Sequence, residues 1–408
     1  MTRVLAYTSP MRGHLFPVVP ILEELRRRGH HVSIRTIRAH VTHLRALGMN
    51  ARSLSSAVEE IGLDDWQARS PASAQRRAMQ AFGQRAAFDA EDLRRAIAEE
   101  RPDILLVDIM AFGALATAEA SNLPWAAWLP YPAWLRGRGV PPYGPGLRPM
   151  TGPLGRARDA VVGALGAIGP GRHVAAAVNQ GRTAAGLRAL RDADAVLLRA
   201  PLILSMTAEP FEYPRAAWPA SFRLIGPCSW EPPSRSPAWL SSSGQPVVLV
   251  ATSTDFQDDG RLVACAFEAL RDRDDLLVIA TVPAMQTSVP TCPPNARVER
   301  FTSHDDLLAH AAAVICHAGM GTTQKALARG VPVCAVPFGR DQFEVARRIE
   351  VSESGTMLPA RRLRPDRLRT AFEATLNCRP GAQQIAAAFA AAGGATEAAT
   401  SLEALDSD

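Results

Sequence analysis

The side chains best suited to chemistry crowd into one stretch, VICHAGMGTTQKALARGVPVCAVPFGRDQ, from Val314 to Gln342. A helix that opens after Gly319 and Gly321 would aim free N–H groups and the positive end of its dipole at whatever lies above the turn, which favours phosphate. His317 and Thr322 add donors, and Asp341 and Gln342 add a carboxylate and an amide. Glycines needed only for a strand-to-helix turn are the competing explanation. The four polar side chains favour a ligand.

Positioning these groups requires two buried strands, Val314–Cys316 and Val333–Val336, with the helix between them and a polar loop after them. Their short, β-branched apolar runs suit parallel strands covered on both faces. Similar units recur. Near the start, a strand at Val4–Tyr7 is followed by a turn through Ser9–Gly13, a helix from about Phe16 to Arg28 ended by Gly29, and a strand at His31–Arg35. A second unit places a strand at Asp103–Val107 closed by Asp108, a helix at Phe112–Ser121 and a strand at Trp125–Leu129. A polar helical region (about Val58–Glu100, with Trp66 and Phe82) and a Pro/Gly-rich insertion (Pro130–Pro153, with Tyr131 and Trp134) flank that unit. Loops above a doubly wound sheet commonly carry the variable partner, although aromatics of this kind also pack their own loops. Pro- and Ser-rich residues 226–244 separate a domain over 1–225 from a second over 245–385, and a helical tail, 386–408, is interrupted at Gly393-Gly394. In the second domain, strands are expected at Val247–Ala251, Leu276–Thr281 and Ala296–Phe301, with a helix at Arg261–Leu270.

The length, 408 residues, fits two domains, and 47% hydrophobic with 21% charged residues is a globular composition. A formal charge of +5, without a sustained basic run, gives no support to nucleic-acid binding. Six cysteines without a CxxC pair, no apolar leader and no stretch resembling a membrane span lead to the expectation of a cytoplasmic protein without membrane association. A monomer or homodimer is expected.

Taken together, GHLFPVVPILEELRRRGHHVSI near the start and HAGMGTTQKALARGVPVCAVPFGRDQ in the second half resemble the two signatures of glycosyltransferase family 1, above all its bacterial natural-product members. The resemblance covers most of the second domain and is patchier in the first. It implies an α/β fold of the GT-B type, two doubly wound Rossmann-like parallel-sheet domains facing across a cleft. It also implies inverting transfer of a sugar, with a deoxysugar from a dTDP- or UDP-donor expected, to a hydroxyl of an apolar aglycone such as a polyketide or aromatic antibiotic.

Residue by residue, the resemblance makes His14 the catalytic base and Asp108 the carboxylate that orients it. It assigns His317, Gly319, Gly321, Thr322 and Thr254 to the donor diphosphate, and Phe301 and Thr302 to the nucleoside. Asp341 and Gln342 fall to the sugar hydroxyls, and Trp66, Phe82, Tyr131 and Trp134 are candidates for the acceptor. Ala251 and Ser253 replace a serine and a glycine of the usual Ser-x-Gly-Thr, and Ser303 replaces a proline after Phe301. Lys325, the only lysine, stands where many relatives carry a glutamate that bonds the ribose hydroxyls, and an ammonium accepts no hydrogen bond. This leans toward a dTDP-sugar, with its 2′-deoxyribose; a solvated helix lysine is the alternative. No cofactor or metal is implied beyond the nucleotide-sugar co-substrate.

Other activities stay open. A nicotinamide enzyme would need G-x-G-x-x-G, and no third glycine follows Gly319 and Gly321. Asp192-Ala193-Asp194 matches the D-x-D of metal-dependent transferases, but precedes what reads as an ordinary strand at Ala195–Leu198. A nucleotide-sugar epimerase or a non-catalytic auxiliary binder could share the fold. Only an enzyme needs His14 with Asp108 in the facing domain.

Overall fold

The computed structural model describes residues 1–405 except 235, 236, 238, 241–243, 258 and 285–290, so part of the expected linker lies outside the described residues. Among the described residues the strands build two sheets. Strands β1 (Arg3–Tyr7), β2 (His31–Thr36), β3 (Asn50–Ser53), β4 (Ile104–Asp108), β5 (Trp125–Leu129), β6 (Leu202–Ser205) and β7 (Phe222–Leu224) form the first, in the order β3-β2-β1-β4-β5-β6-β7. Strands β8 (Val247–Ala251), β9 (Leu277–Thr281), β10 (Ala296–Glu299), β11 (Ala311–Cys316), β12 (Val333–Ala335) and β13 (Gly355–Met357) form the second, in the order β10-β9-β8-β11-β12-β13. All pairings are parallel.

Helices α1 (Arg12–Arg27), α2 (Val41–Ala46), α3 (Ser56–Glu59), α4 (Pro71–Glu100), α5 (Phe112–Ala120), α6 (Gly152–Gly166) and α7 (Arg172–Ala184) belong to the first unit. The second holds α8 (Arg261–Leu270), α9 (His304–Leu308), α10 (Met320–Ala328), α11 (Gln342–Val351), α12 (Pro365–Leu376) and α13 (Arg379–Ala391). The pleat explains the layering: Leu5 and Tyr7 of β1 join one core and Val4 and Ala6 the other, just as Leu249 and Val250 of β8 part to opposite faces. The last helix, α14 (Gly394–Leu405), crosses back. It buries Ala398, Ala399 and Leu402 in the core of α1, and Glu403 pairs with Arg28 and His30. Gly393 and Gly394, both at positive φ, permit the break.

In each sheet the strand order reverses beside one central pair, β1/β4 and β8/β11, and ligands of such sheets bind in the crevice beyond those strand ends. His14 and Asp108 follow the first pair; Thr254 and His317 follow the second.

Several expectations need correction. The first helix begins at Arg12, so His14 lies in its first turn instead of on a loop; Met11 is the extended cap, and Pro17 sits inside the helix although it looks like a helix start. Ala195–Leu198 is not a strand. The Asp192 carboxylate accepts the Asp194 N–H and winds Ala193–Leu198 into a 3-10 turn. The tight turn after β11 is made by Ala318, at φ 66, whereas Gly319 is extended and Gly321 is already helical. Gly319 is needed for space: a Cβ there would stand 2.3 Å from His317 Nε2. Finally, Gly152–Ala184, α6 and α7 joined by a π-helical turn (Ala167–Gly171), is one continuous helix long and apolar enough to cross a membrane, contrary to the reading that no stretch resembles a span. Its run of glycines around Pro170 looks like a chain of breaks.

Candidate active site

At the end of β4, Asp108 is completely buried and its carboxylate is fully engaged. Oδ1 accepts from His14 Nδ1 at 2.9 Å and from the Met110 N–H at 3.0 Å. Oδ2 accepts from the Ser9 N–H at 2.9 Å and from the Ser9 hydroxyl. Burial alone would raise the Asp108 pKa, but His14, the Met110 amide and Ser9 outweigh it and hold the carboxyl below its ordinary value. With Nδ1–H donated to Asp108, Nε2 of His14 is the nitrogen left to accept a proton. The His14 carbonyl takes the indole N–H of buried Trp128 at 3.2 Å, fixing the first turn of α1 against β5. Ser9 was not foreseen; its signal is a hydroxyl between a strand end and the histidine-bearing turn.

Across the cleft, His317 is buried beside the carbonyl of Ala251, 3.4 Å from Nδ1, with Asp259 Oδ2 at 3.8 Å. Burial pulls its pKa down, against Asp259 and the carbonyl, which favours a neutral imidazole. It sits at the N-terminus of α10, whose first amides lack partners within the helix. Gly321 has nothing within 4 Å of where a Cβ would be, so the backbone there is open to close approach. Thr254 is exposed, and its carbonyl accepts Arg12 NH1 at 3.3 Å from the opposite domain.

Asp341 is the N-cap residue of α11, and burial holds its pKa above the ordinary carboxylate value against its own backbone N–H, Arg340, His14 and His317. Gln342 differs from expectation. Its oxygen accepts the N–H groups of Phe338 and Gly339 at 2.8 and 3.0 Å, and its nitrogen donates to Gln257. An amide nitrogen has two protons, so at most one remains for a ligand.

Lys325 is not solvated. Its ammonium pairs with Glu231 at 2.5 Å, with both side chains largely buried, and Glu231 also accepts the His304 N–H at 3.0 Å. Burial raises the Glu231 pKa, but Lys325 and His304 win and lower it. The His304 ring bonds Thr281 and is brought down to about 4 by burial and by Lys325. Phe301 is half-exposed and Thr302 buried.

The four acceptor candidates separate. Trp134 lines a cavity of about 350 Å³ with Pro141, Tyr143, Ala160, Glu344 and Arg348. Tyr131 stacks on Trp134 at 5.9 Å and lies 5.5 Å from the His14 ring, connecting that cavity to the dyad. The Tyr131 hydroxyl and the Trp134 indole nitrogen are buried without a partner. Trp66 instead crosses the cleft to meet Phe256 edge-on at 4.8 Å. Phe82 is a core residue, 5% exposed and packed against Phe112, because its face of α4 turns toward α5. Beside Trp66, Asp65 forms a two-bond pair with Arg340 at 2.8 Å, a clasp between domains that no local sequence pattern announces.

Residues 266–405 match the model of the C-terminal domain of erythromycin biosynthesis protein CIII-like proteins. Over 393 residues, 92% of each chain, the sequence is 33% identical to 4′-demethylrebeccamycin synthase of Lentzea aerocolonigenes. The structure resembles the glycosyltransferase of kitacinnamycin (TM-score 0.75, 20% identity, 99% of both chains covered). It also resembles the glycosyltransferase VinC in complex with dTDP (TM-score 0.69, 22% identity, 99% of both chains covered). At those identities the structural likeness speaks for the fold.

Proposed function

Because the chain belongs to the glycosyltransferases of antibiotic and natural-product biosynthesis and shares their two-domain GT-B fold, we propose that His14 and Asp108 drive an inverting, metal-independent transfer from a dTDP-sugar to an apolar aglycone. The observation that carries this reading is the 2.9 Å His14–Asp108 pair at the end of β4. The acceptor oxygen attacks the anomeric carbon from the face opposite the diphosphate. Its proton passes to His14 Nε2, the imidazolium is balanced by Asp108, and the C–O bond to the diphosphate breaks. The leaving charge falls to the α10 amides at Gly321 and Thr322, with His317, Gly319 and Thr254 around it. Asp341 takes sugar hydroxyls, and Gln342 contributes at most one N–H.

The donor reading rests on Lys325 and Glu231, which largely satisfy each other and leave little capacity for a ribose 2′-hydroxyl. Phe301, with its exposed ring, is the stacking surface for the base. On the acceptor side, Tyr131 and Trp134 offer an apolar stack with unpartnered donors, which suits a flat aglycone carrying oxygen functions. A non-catalytic binder would have no use for the dyad. His14→Ala tests the assignment: donor binding survives, and transfer to an aliphatic alcohol falls by about 10² or more, with a smaller loss for a phenol that ionises more readily. Equal rates for variant and wild type on both acceptors would refute it. Turnover with dTDP- and UDP-forms of one sugar checks the donor, and undiminished turnover in EDTA checks the absence of a metal requirement.

A further inference from the structure

The helix α6 carries a face that the transfer reaction does not use. Leu154, Val161, Leu165 and Ile168 are 80%, 59%, 66% and 75% exposed, and their spacing of seven, four and three residues keeps them on one side of the helix. Exposed Met150 precedes them, and exposed Ala157 and Ala164 fill the gaps between them. A continuous apolar stripe of this size is uncommon on a soluble surface unless something covers it.

Charge identifies what covers it. Residues 131–190 contain eight arginines and one acid, Asp159, which is tied to Arg158, whereas the whole chain has a net charge of only +5. Arg148 and Arg172 are exposed before and after the stripe, and exposed Arg156 lies on the other side of α6. Symmetric pairing of two copies through this face would bring arginine-rich surfaces together. An anionic phospholipid surface accepts both features, with apolar side chains entering the acyl boundary and arginines reaching headgroup phosphates.

The helix does not leave the fold to span a bilayer. In α7, Ala177 and Val178 are buried in the core, Arg182 pairs with Glu119, and a Cβ at Gly181 would meet the Phe112 carbonyl at 2.5 Å. We propose that α6 is an interfacial helix that docks the enzyme on anionic phospholipid bilayers. The other side of α6, through Asp159, Ala160 and Gly163, walls the cavity assigned to the acceptor, so docking sets that cavity close to the lipid.

Flotation of the full chain with vesicles tests this, using phosphatidylglycerol mixed with phosphatidylcholine against phosphatidylcholine alone. Wild type should float with the mixed vesicles and bind the neutral ones about tenfold less. Leu165→Asp with Ile168→Asp should lower flotation about tenfold, and Arg148→Gln with Arg172→Gln should bring mixed-vesicle binding down toward the neutral level. Both variants should keep wild-type melting temperature and turnover of a water-soluble acceptor, since none of these residues lies in the proposed site. Failure of wild type to float with the mixed vesicles overturns the proposal. So does undiminished flotation of the Asp pair, or a wild-type dimer in sedimentation velocity that the Asp pair dissolves.

Discussion

Replacing Asp108 by asparagine keeps the shape of the side chain and removes the charge that faces His14. In the wild-type protein the Nδ1–Oδ1 bond is 2.9 Å long, Asp108 is 0% exposed and the His14 side chain 12%. When His14 takes the acceptor proton, that bond becomes a charge-assisted one in a dry setting, worth about 1.5–3 kcal/mol where a neutral contact is worth about 0.5–1.5. At 1.36 kcal/mol per tenfold, a difference of about 1–1.5 kcal/mol lowers kcat by about tenfold. The amide can also turn its N–H₂ toward Nδ1 and so favour the tautomer with the proton on Nε2, the wrong nitrogen, which extends the loss toward about 10⁴. Initial rates under saturating donor, with an aliphatic and a phenolic acceptor, measure the effect, and calorimetry with dTDP measures donor binding separately. The expected result is a fall in kcat for the alcohol of about 10–10⁴, a smaller fall for the phenol, and dTDP affinity within about threefold of wild type. A kcat within about fivefold of wild type would refute the reasoning, as would a loss confined to dTDP affinity.

Gly319→Ala, which pushes a methyl against the His317 ring, should weaken dTDP binding by about tenfold in calorimetry while leaving kcat at saturating donor nearly unchanged. Glu231→Gln strands the Lys325 ammonium, and for this largely buried pair a loss of about 2–4 kcal/mol in denaturant unfolding is expected; Glu231→Gln combined with Lys325→Met should recover part of it. His304 titrates at about 4 in the fold against 6.5 as a free imidazole, so its stabilising contribution is complete above pH 6.5 and lost as pH falls toward 4, on the order of 3 kcal/mol. Asp108 and Glu231, both lowered, add losses below the ordinary carboxylate range; melting temperature against pH should show this acid slope, flattened above pH 4 in His304→Asn. Asp65→Asn, which leaves the Arg340 guanidinium without its buried carboxylate, should raise the KM for donor a few-fold and lower the melting temperature by a few degrees.

The legible part of this protein was local. Strand ends followed by glycine, histidine or aspartate gave both crevices, and the dyad residues, 94 positions apart, were paired through resemblance and found in hydrogen-bond contact. Contacts set by the third dimension were not legible. Glu231 reaches Lys325 from the linker, and Arg340 reaches Asp65 across the cleft, and nothing in either local sequence marks its partner. Phe82 reads as an acceptor contact on a polar helical region because the polar residues around it hide that one face of α4 is core. The Val-Leu-Leu run after Asp192 has strand composition, but the preceding side chain capped it into a 3-10 turn. The exposed stripe on α6 is hidden in the sequence by glycines and a proline that signal breaks, whereas the π-helical turn absorbs them without ending the helix.

The most direct measurement is the anomeric configuration of the first-formed product, followed by proton NMR with a dTDP-sugar of known configuration. One displacement at the anomeric carbon, with His14 taking the acceptor proton on one face and the α10 terminus receiving the diphosphate on the other, predicts complete inversion. A product that retains the donor's configuration from the earliest time points would contradict it.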